Sequence, residues 1–219
     1  MSDVPELRGG MSELALPFVI RIERADPPTR TDALEAAARA VLLILTDGRP
    51  EWADALAAWD GQRIRKVVRR ARGAAWTRAR EVDGLDVVRG SAELRVYPPV
   101  PVDDWPPDLA RLQVGGTTLE DPEPPAPPPP GVPLVLLSPH AEMTTGKAMA
   151  QAAHAAQLGW RSATPAQRSS WQQAGFPLAV RDATPRQWDD AAATDAPVVH
   201  DGGFTEVEPG TATALVLLP

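Results

Sequence analysis

The sequence predicts an α/β protein made of two similar three-layer α/β/α units with mixed sheets, and three observations carry that expectation. Apolar runs of strand length alternate with longer segments of helical periodicity from Leu16 to Leu218. The segment Glu120 to Gly131 is mostly proline, which fixes φ and removes backbone donors, so neither helix nor sheet continues through it. Landmarks before that segment recur after it in the same order. Pro17-Phe18-Val19-Ile20 matches Pro133-Leu134-Val135-Leu136, Trp59 matches Trp171, Trp76 matches Trp188, and Val87-Val88 matches Val198-Val199, at separations of 116, 112, 112 and 111 residues. An internal duplication joined by a proline-rich linker follows, with a leader at 1–14, a first unit at 15–119, the linker at 120–131 and a second unit at 132–219.

In the first unit, Leu16 to Ile22 reads as a strand, and a helix from Ala33 to Leu45 has Thr31 or Thr29 as its cap. A helix at Glu51 to Trp59, a strand at Ile64 to Val68, a helix at Ala74 to Glu81 and strands at Leu85 to Val88 and Ala92 to Val96 come next. The proline-broken run from Pro98 to Pro107 ends the unit's regular part, and Leu109 to Leu119 reads as a short strand or edge segment. In the second unit the expected elements are a strand at Leu134 to Leu137, helices at Lys147 to Trp160 and Pro165 to Ala174, and a strand at Pro177 to Val180. A helix at Pro185 to Ala193 and strands at Val198 to His200 and Thr213 to Leu218 complete it. Pro165 and Pro185 each follow a threonine, the order expected of a cap residue and a first helical proline.

Composition narrows the chemistry. The 219 residues contain no cysteine and 3 histidines, which excludes disulfides, thiolate nucleophiles and cysteine zinc sites and leaves little for a metal centre, so no metal or cofactor is expected. No apolar run reaches the roughly 20 residues of a membrane span, and the start lacks a signal pattern, so a cytosolic protein without a membrane partner is expected. A net charge of −7 argues against indiscriminate nucleic-acid binding but leaves room for a local basic patch. One such patch is apparent: Arg63, Arg65, Lys66, Arg69, Arg70, Arg72, Arg78 and Arg80 occur with Trp76 and without any acidic residue between them.

The helix after Leu134-Leu137 carries an unusual stripe. Lys147, Gln151, His154 and Leu158 lie at i, i+4, i+7 and i+11, so three polar residues share a face that normally packs inward. The first unit has Thr31-Asp32, Ala36 and Arg39 in place of Gly146-Lys147, Gln151 and His154, and Arg89-Gly90-Ser91 in place of His200-Asp201-Gly202-Gly203. The polar stripe and the Asp-Gly-Gly loop are present together in one unit and absent together from the other, a pattern that fold stability does not require. Gly146-Lys147 is not a P-loop, since Ala141 and Ala148 occupy positions where that motif needs glycine and a hydroxyl.

Taken together, Gly146-Lys147-Ala148-Met149-Ala150-Gln151-Ala152-Ala153-His154-Ala155, the loop Asp201-Gly202-Gly203-Phe204-Thr205, the turn Pro209-Gly210-Thr211 and the final strand ending at Pro219 resemble the type 2 peptidyl-tRNA hydrolase family. The resemblance covers residues 132–219. It implies a small α/β/α domain, often dimeric in that family, that hydrolyses the ester between a peptide and the terminal ribose of tRNA. By the matching positions, Lys147, His154, Asp201 and Thr205 would be catalytic, and Gln151, Gly146, Gly202 and Gly203 would bind substrate. Phe204 stands where the family usually has arginine, and Glu142-Met143-Thr144-Thr145 lacks the family's added basic residues. Arg69, Arg70 and Arg72 of the first unit are the expected replacements for phosphate contact. The expected partner is peptidyl-tRNA, bound by a monomeric pseudo-dimer; the alternative is a non-catalytic RNA- or protein-binding module that kept the fold.

Overall fold

A computed structural model describes residues 12–203 and 205–219. The chain order is β1 (Leu14–Arg21), α1 (Arg30–Leu45), α2 (Pro50–Asp60), β2 (Arg65–Ala71), α3 (Gly73–Glu81), β3 (Leu85–Arg89), β4 (Ala92–Val96), β5 (Val100–Pro101), α4 (Pro107–Ala110) and β6 (Gln113–Val114). After the proline-rich segment come β7 (Leu134–Leu137), α5 (Thr145–Ser162), α6 (Pro165–Gln173), β8 (Ala179–Asp182), α7 (Pro185–Ala192), β9 (Val198–His200) and β10 (Ala212–Leu217).

Local chemistry sets the helix ends. The Thr29 and Thr144 side chains accept from the N–H groups of Asp32 and Lys147, which begins α1 and α5. Thr29, not Thr31, is therefore the cap of α1, and α5 starts at Thr145, ahead of the expected Lys147. Thr164 and Thr184 form reciprocal capping boxes with Gln167 and Gln187, each followed by proline at the first turn. The segment at 109–119, expected as a short strand or edge segment, holds the two-residue edge strand β6 after the end of α4, a single turn that Pro106-Pro107 start by presetting φ. Residues 1–11 of the expected leader lie outside the described residues, but Leu14 already belongs to β1, so the boundary at 14 falls inside the sheet.

Both sheets are mixed. The first runs β3-β4-β1-β2-β6, with β5 also on β1; the second runs β8-β7-β10-β9. In each, one parallel pair (β1 with β2, β7 with β8) sits beside an antiparallel pair (β1 with β4, β7 with β10). The shared order β2-β1-β4-β3 and β8-β7-β10-β9 is thus the same in both halves. The expected match of Phe18 with Leu134 is one residue out of step. Phe18 lies opposite Val96 and Val135 opposite Val216, and Phe18 and Val135 are the pair that face the same core, whereas Leu134 faces the opposite side. Side chains alternate along a strand, so a slip of one exchanges its two faces.

The two units are not separate bodies tied by a spacer. One core takes Leu16, Phe18 and Ile20 of β1, Val135 and Leu137 of β7, and the alanine-rich faces of α1 and α5, which pack against each other between the sheets. On the outer faces, α3 covers the first sheet through Trp76 and Ala79, and α7 covers the second through Trp188 and Ala191. The proline-rich segment adds contacts of its own: Asp121 accepts from the Thr31 N–H and hydroxyl, and the Ala126 carbonyl accepts from Arg181. The Trp59 indole donates to the Arg65 carbonyl and the Trp171 indole to the Pro177 carbonyl, six residues on in each case, which ties the end of α2 or α6 to the start of the next strand. Among the described residues, no helix is long and apolar enough to cross a membrane.

Because the central core is built from both halves, urea unfolding followed by tryptophan fluorescence and by far-UV circular dichroism is expected to give one coincident transition. Two resolved transitions would show that the halves unfold independently. Trp59→Ala, which empties a fully buried site, is expected to lower stability by about 3–5 kcal/mol in the same measurement.

Candidate functional site

The polar stripe of α5 faces the first half. A cleft of about 720 Å³ has α5 as its floor, with Gly146, Lys147, Gln151, His154 and Leu158 exposed to it. The β9 end and its loop form one wall, with His200, Asp201, Gly202, Thr205 and Glu206; β2 forms the other, with Arg63 to Arg69, joined by Trp105 and Val114. The cleft exists because β6 pairs with β2 only at Arg69 and Arg70, leaving the N-terminal part of that strand edge uncovered.

Lys147 and Asp201 form the centre of the site. The Lys147 Nζ donates to Asp201 Oδ2 at 2.5 Å and to the Thr205 hydroxyl at 3.0 Å, and both charged side chains are about nine-tenths buried. Asp201 Oδ2 also accepts from the Gln151 amide at 2.7 Å, and Oδ1 from the Gly203 N–H at 2.8 Å. Both carboxylate oxygens are therefore engaged, and the geometry makes Asp201 the residue that holds Lys147. Gln151 is 2% exposed, and its carbonyl accepts from the Thr213 hydroxyl, which fixes the direction of the amide. Gly203 has φ of +74°, and a Cβ there would lie 2.3 Å from Pro209, so only glycine allows the loop to fold back under Asp201.

At the start of α5 the Thr144 N–H donates to Glu206, the Gly146 N–H to the Thr117 carbonyl and the Lys147 N–H to the Thr144 hydroxyl.

His154 lies one turn further along the floor. Its Nδ1 is 3.2 Å from the Lys66 Nζ, which donates to Gln157 Oε1 at 2.5 Å and stands 4.8 Å from the centre of the Trp59 ring. Burial, then the positive charges of Lys66, Lys147 and Arg161, holds the imidazole well below the usual histidine value. Burial, then Arg161, likewise holds the Lys66 amine well below the lysine range, with Asp60 acting in the opposite direction.

The expected residues separate into two groups. Lys147, Gln151, His154, Asp201, Thr205, Gly146 and Gly202 line one cleft, and Gly203 supports it from behind. Of the arginines, Arg69 lines the opposite wall, stacked 4.3 Å from the Trp105 ring and donating to the Ala110 and Leu112 carbonyls. Arg70 is turned to the Gly116 carbonyl, and Arg72 precedes α3 as its cap residue; neither is among the cleft residues. The expectation at Phe204 lies outside the described residues. Sequence reasoning missed Thr213, Glu206, Gln157 and the inward role of Lys66. The only sequence signal for Lys66 was its place in a basic run, which does not distinguish an inward lysine from solvent-facing neighbours.

At the corresponding place in the first half the arrangement is closed. Asp32 accepts from the Ser91 N–H and hydroxyl, both at 2.7 Å, and a side chain at Gly90 would collide with Asp32. Glu35, 3% exposed, accepts from Arg89 at 2.7 Å and Arg181 at 2.8 Å, occupying the space between α1 and β8.

Asp201→Ala leaves the Lys147 ammonium buried without its carboxylate and is expected to cost about 3–5 kcal/mol in urea unfolding; a cost near zero would place the pair in solvent. The neutral His154 gives a second outcome. The folded state takes up this proton only below its lowered value, whereas the unfolded chain takes it up at about 6.5. Unfolding therefore binds a proton between those two values, and stability is expected to fall as pH drops below 6.5. His154→Gln should flatten that part of the stability profile. No family model matches the chain, and no curated protein is found to be similar to it.

Proposed function

We propose that the protein is a peptidyl-tRNA hydrolase that cleaves the ester joining a peptide to the terminal ribose of tRNA. The observation that carries the reading is the convergence of Lys147, Gln151, His154, Asp201 and Thr205 on one cleft whose opposite wall supplies Arg63, Lys66 and Arg69. Two sequence motifs about 50 residues apart meet there through the Lys147–Asp201 pair, and they are the two motifs on which the family resemblance rests.

Ester hydrolysis needs a water aligned with the acyl carbon and a positive group where the carbonyl oxygen gains charge. In this reading water adds to the acyl carbon, the bond from that carbon to the ribose oxygen breaks, one of the water's protons ends on the ribose oxygen and the other is released to solvent as the new carboxyl group ionises. The products are a peptide carboxylate and a tRNA with a free ribose hydroxyl. Lys147, held by Asp201 and backed by Thr205, stabilises the oxyanion. Thr205 and Gln151 position the ester, and Arg63 and Arg69 meet phosphates at the rim.

The first half then takes the place of a second subunit, making the chain a monomeric pseudo-dimer. Three features support an internal duplication: the shared strand order, the threonine caps of α1 and α5, and the two indoles that donate to a carbonyl six residues on. Matching the caps pairs Asp32 with Lys147, Ala36 with Gln151 and Arg39 with His154, so the first copy lacks counterparts of these three side chains.

A turnover assay on a peptidyl-tRNA substrate, with a free-ester control, tests the reading. The protein is expected to release peptide from the tRNA substrate, and Lys147→Ala to lower kcat/KM by about 100-fold, the usual effect of removing one oxyanion donor. No turnover by the folded protein, or full turnover by the variant, would overturn it.

A further inference from the structure

We propose that Lys66, contributed by the first half, is a positioning residue that donates to His154 Nδ1 and so fixes the histidine as the Nε2–H tautomer, a hydrogen-bond donor toward the cleft. The geometry runs as a chain from one half to the other. The Asp60 carboxylate, at the end of α2, accepts from Arg161 at 2.6 Å and from the Gln157 amide at 2.5 Å. An amide that donates through its nitrogen presents its oxygen on the other side, and Gln157 Oε1 accepts from the Lys66 Nζ. Lys66 also faces the Trp59 ring at 4.8 Å, an electron-rich surface that attracts N–H groups.

Lys66 thus meets acceptors on two sides, and as an ammonium, with three hydrogens and no lone pair, it donates at its third contact as well. The third contact, 3.2 Å to His154 Nδ1, then makes that ring nitrogen the acceptor. A neutral imidazole carries one hydrogen, so it sits on Nε2. A histidine in this form does not accept a proton from water through Nε2; it donates a hydrogen bond to an oxygen in the cleft. The charged groups around it keep it neutral: Lys66 from β2 and Lys147 and Arg161 from α5 all oppose a further positive charge, while Asp60 and Asp201 are committed to Gln157, Arg161, Lys147 and Gly203.

For the reaction proposed above, on which this functional role rests, His154 becomes a second donor beside Lys147, aimed at the carbonyl or ribose oxygen. It also makes the second half's site incomplete without the first half, because Lys66, Trp59 and Asp60 all precede the proline-rich segment.

The test is long-range proton–nitrogen NMR of the imidazole groups in the whole protein, which needs no substrate and is independent of whether peptidyl-tRNA is cleaved. His154 is expected to give an unprotonated Nδ1 and a protonated Nε2 at neutral pH, unchanged as pH falls through about 6.5. A protonated Nδ1 in the native protein overturns the proposal, whatever the behaviour of any variant. Lys66→Met, which keeps the chain length and removes the donor, is expected to shift the His154 titration upward and to mix the two tautomers. Native-like His154 signals in the folded variant overturn the proposal. If the native protein turns over peptidyl-tRNA, the variant's loss is expected in kcat with KM little changed.

Discussion

The packing of α1 against α5 is the constraint on which the rest of the structure depends. Ala33, Ala36, Ala37 and Ala40 on one helix and Ala148, Ala152, Ala155 and Ala156 on the other are fully buried, and small side chains let two backbones approach closely over a long seam. Each helix thereby covers its own sheet and also reaches a strand of the other: α5 touches β2, and α1 touches β8. The cleft is a consequence of that crossing. If α5 lay only on its own sheet, Lys147 and His154 would face solvent instead of a wall supplied by β2.

The two crossings are filled in opposite ways. Between α1 and β8, Glu35 is buried with Arg89 and Arg181 on its two oxygens, and the proline-rich segment adds the Ala126 carbonyl to Arg181. A buried carboxylate needs such compensation because its desolvation costs several kcal/mol. Between α5 and β2 the charges are arranged around empty space. Lys147 is paired with Asp201, but its amine still borders the cleft, and Lys66 and His154 stand side by side, each held below its usual range by burial and neighbouring positive charge.

The Asp201 loop illustrates how narrow the requirement is. Its carboxylate uses one oxygen for Lys147 and Gln151 and the other for the Gly203 N–H, while Thr213 fixes the Gln151 amide from below. Each buried polar atom in this set has a partner, which is the condition for a polar network to hold one geometry inside a low-dielectric site. The loop return needs glycine at position 203 because Pro209 lies where a Cβ would be.

Much of the fold was legible in the sequence because it is set locally. Hydrophobic runs and proline breaks mark the strands, threonine followed by proline marks α6 and α7, and the recurrence of Trp59 as Trp171 and Trp76 as Trp188 marks the parallel order of the halves. The stripe of Lys147, Gln151 and His154 and the Asp201 loop were equally visible, since helical spacing and a double glycine are properties of the chain. The one-residue slip between Phe18 and Val135 was not, because alignment of residue types is indifferent to which face of a strand they occupy. Nor did the basic run from Arg63 to Arg80 reveal that Lys66 turns inward to His154 while Arg70 and Arg72 stay off the cleft. The sequence by itself determined which side chains exist on each element and in what spacing; only the tertiary structure decided which of them meet, because contacts between β2 and α5 depend on how two helices cross, a distance of about 90 residues along the chain that no local pattern records.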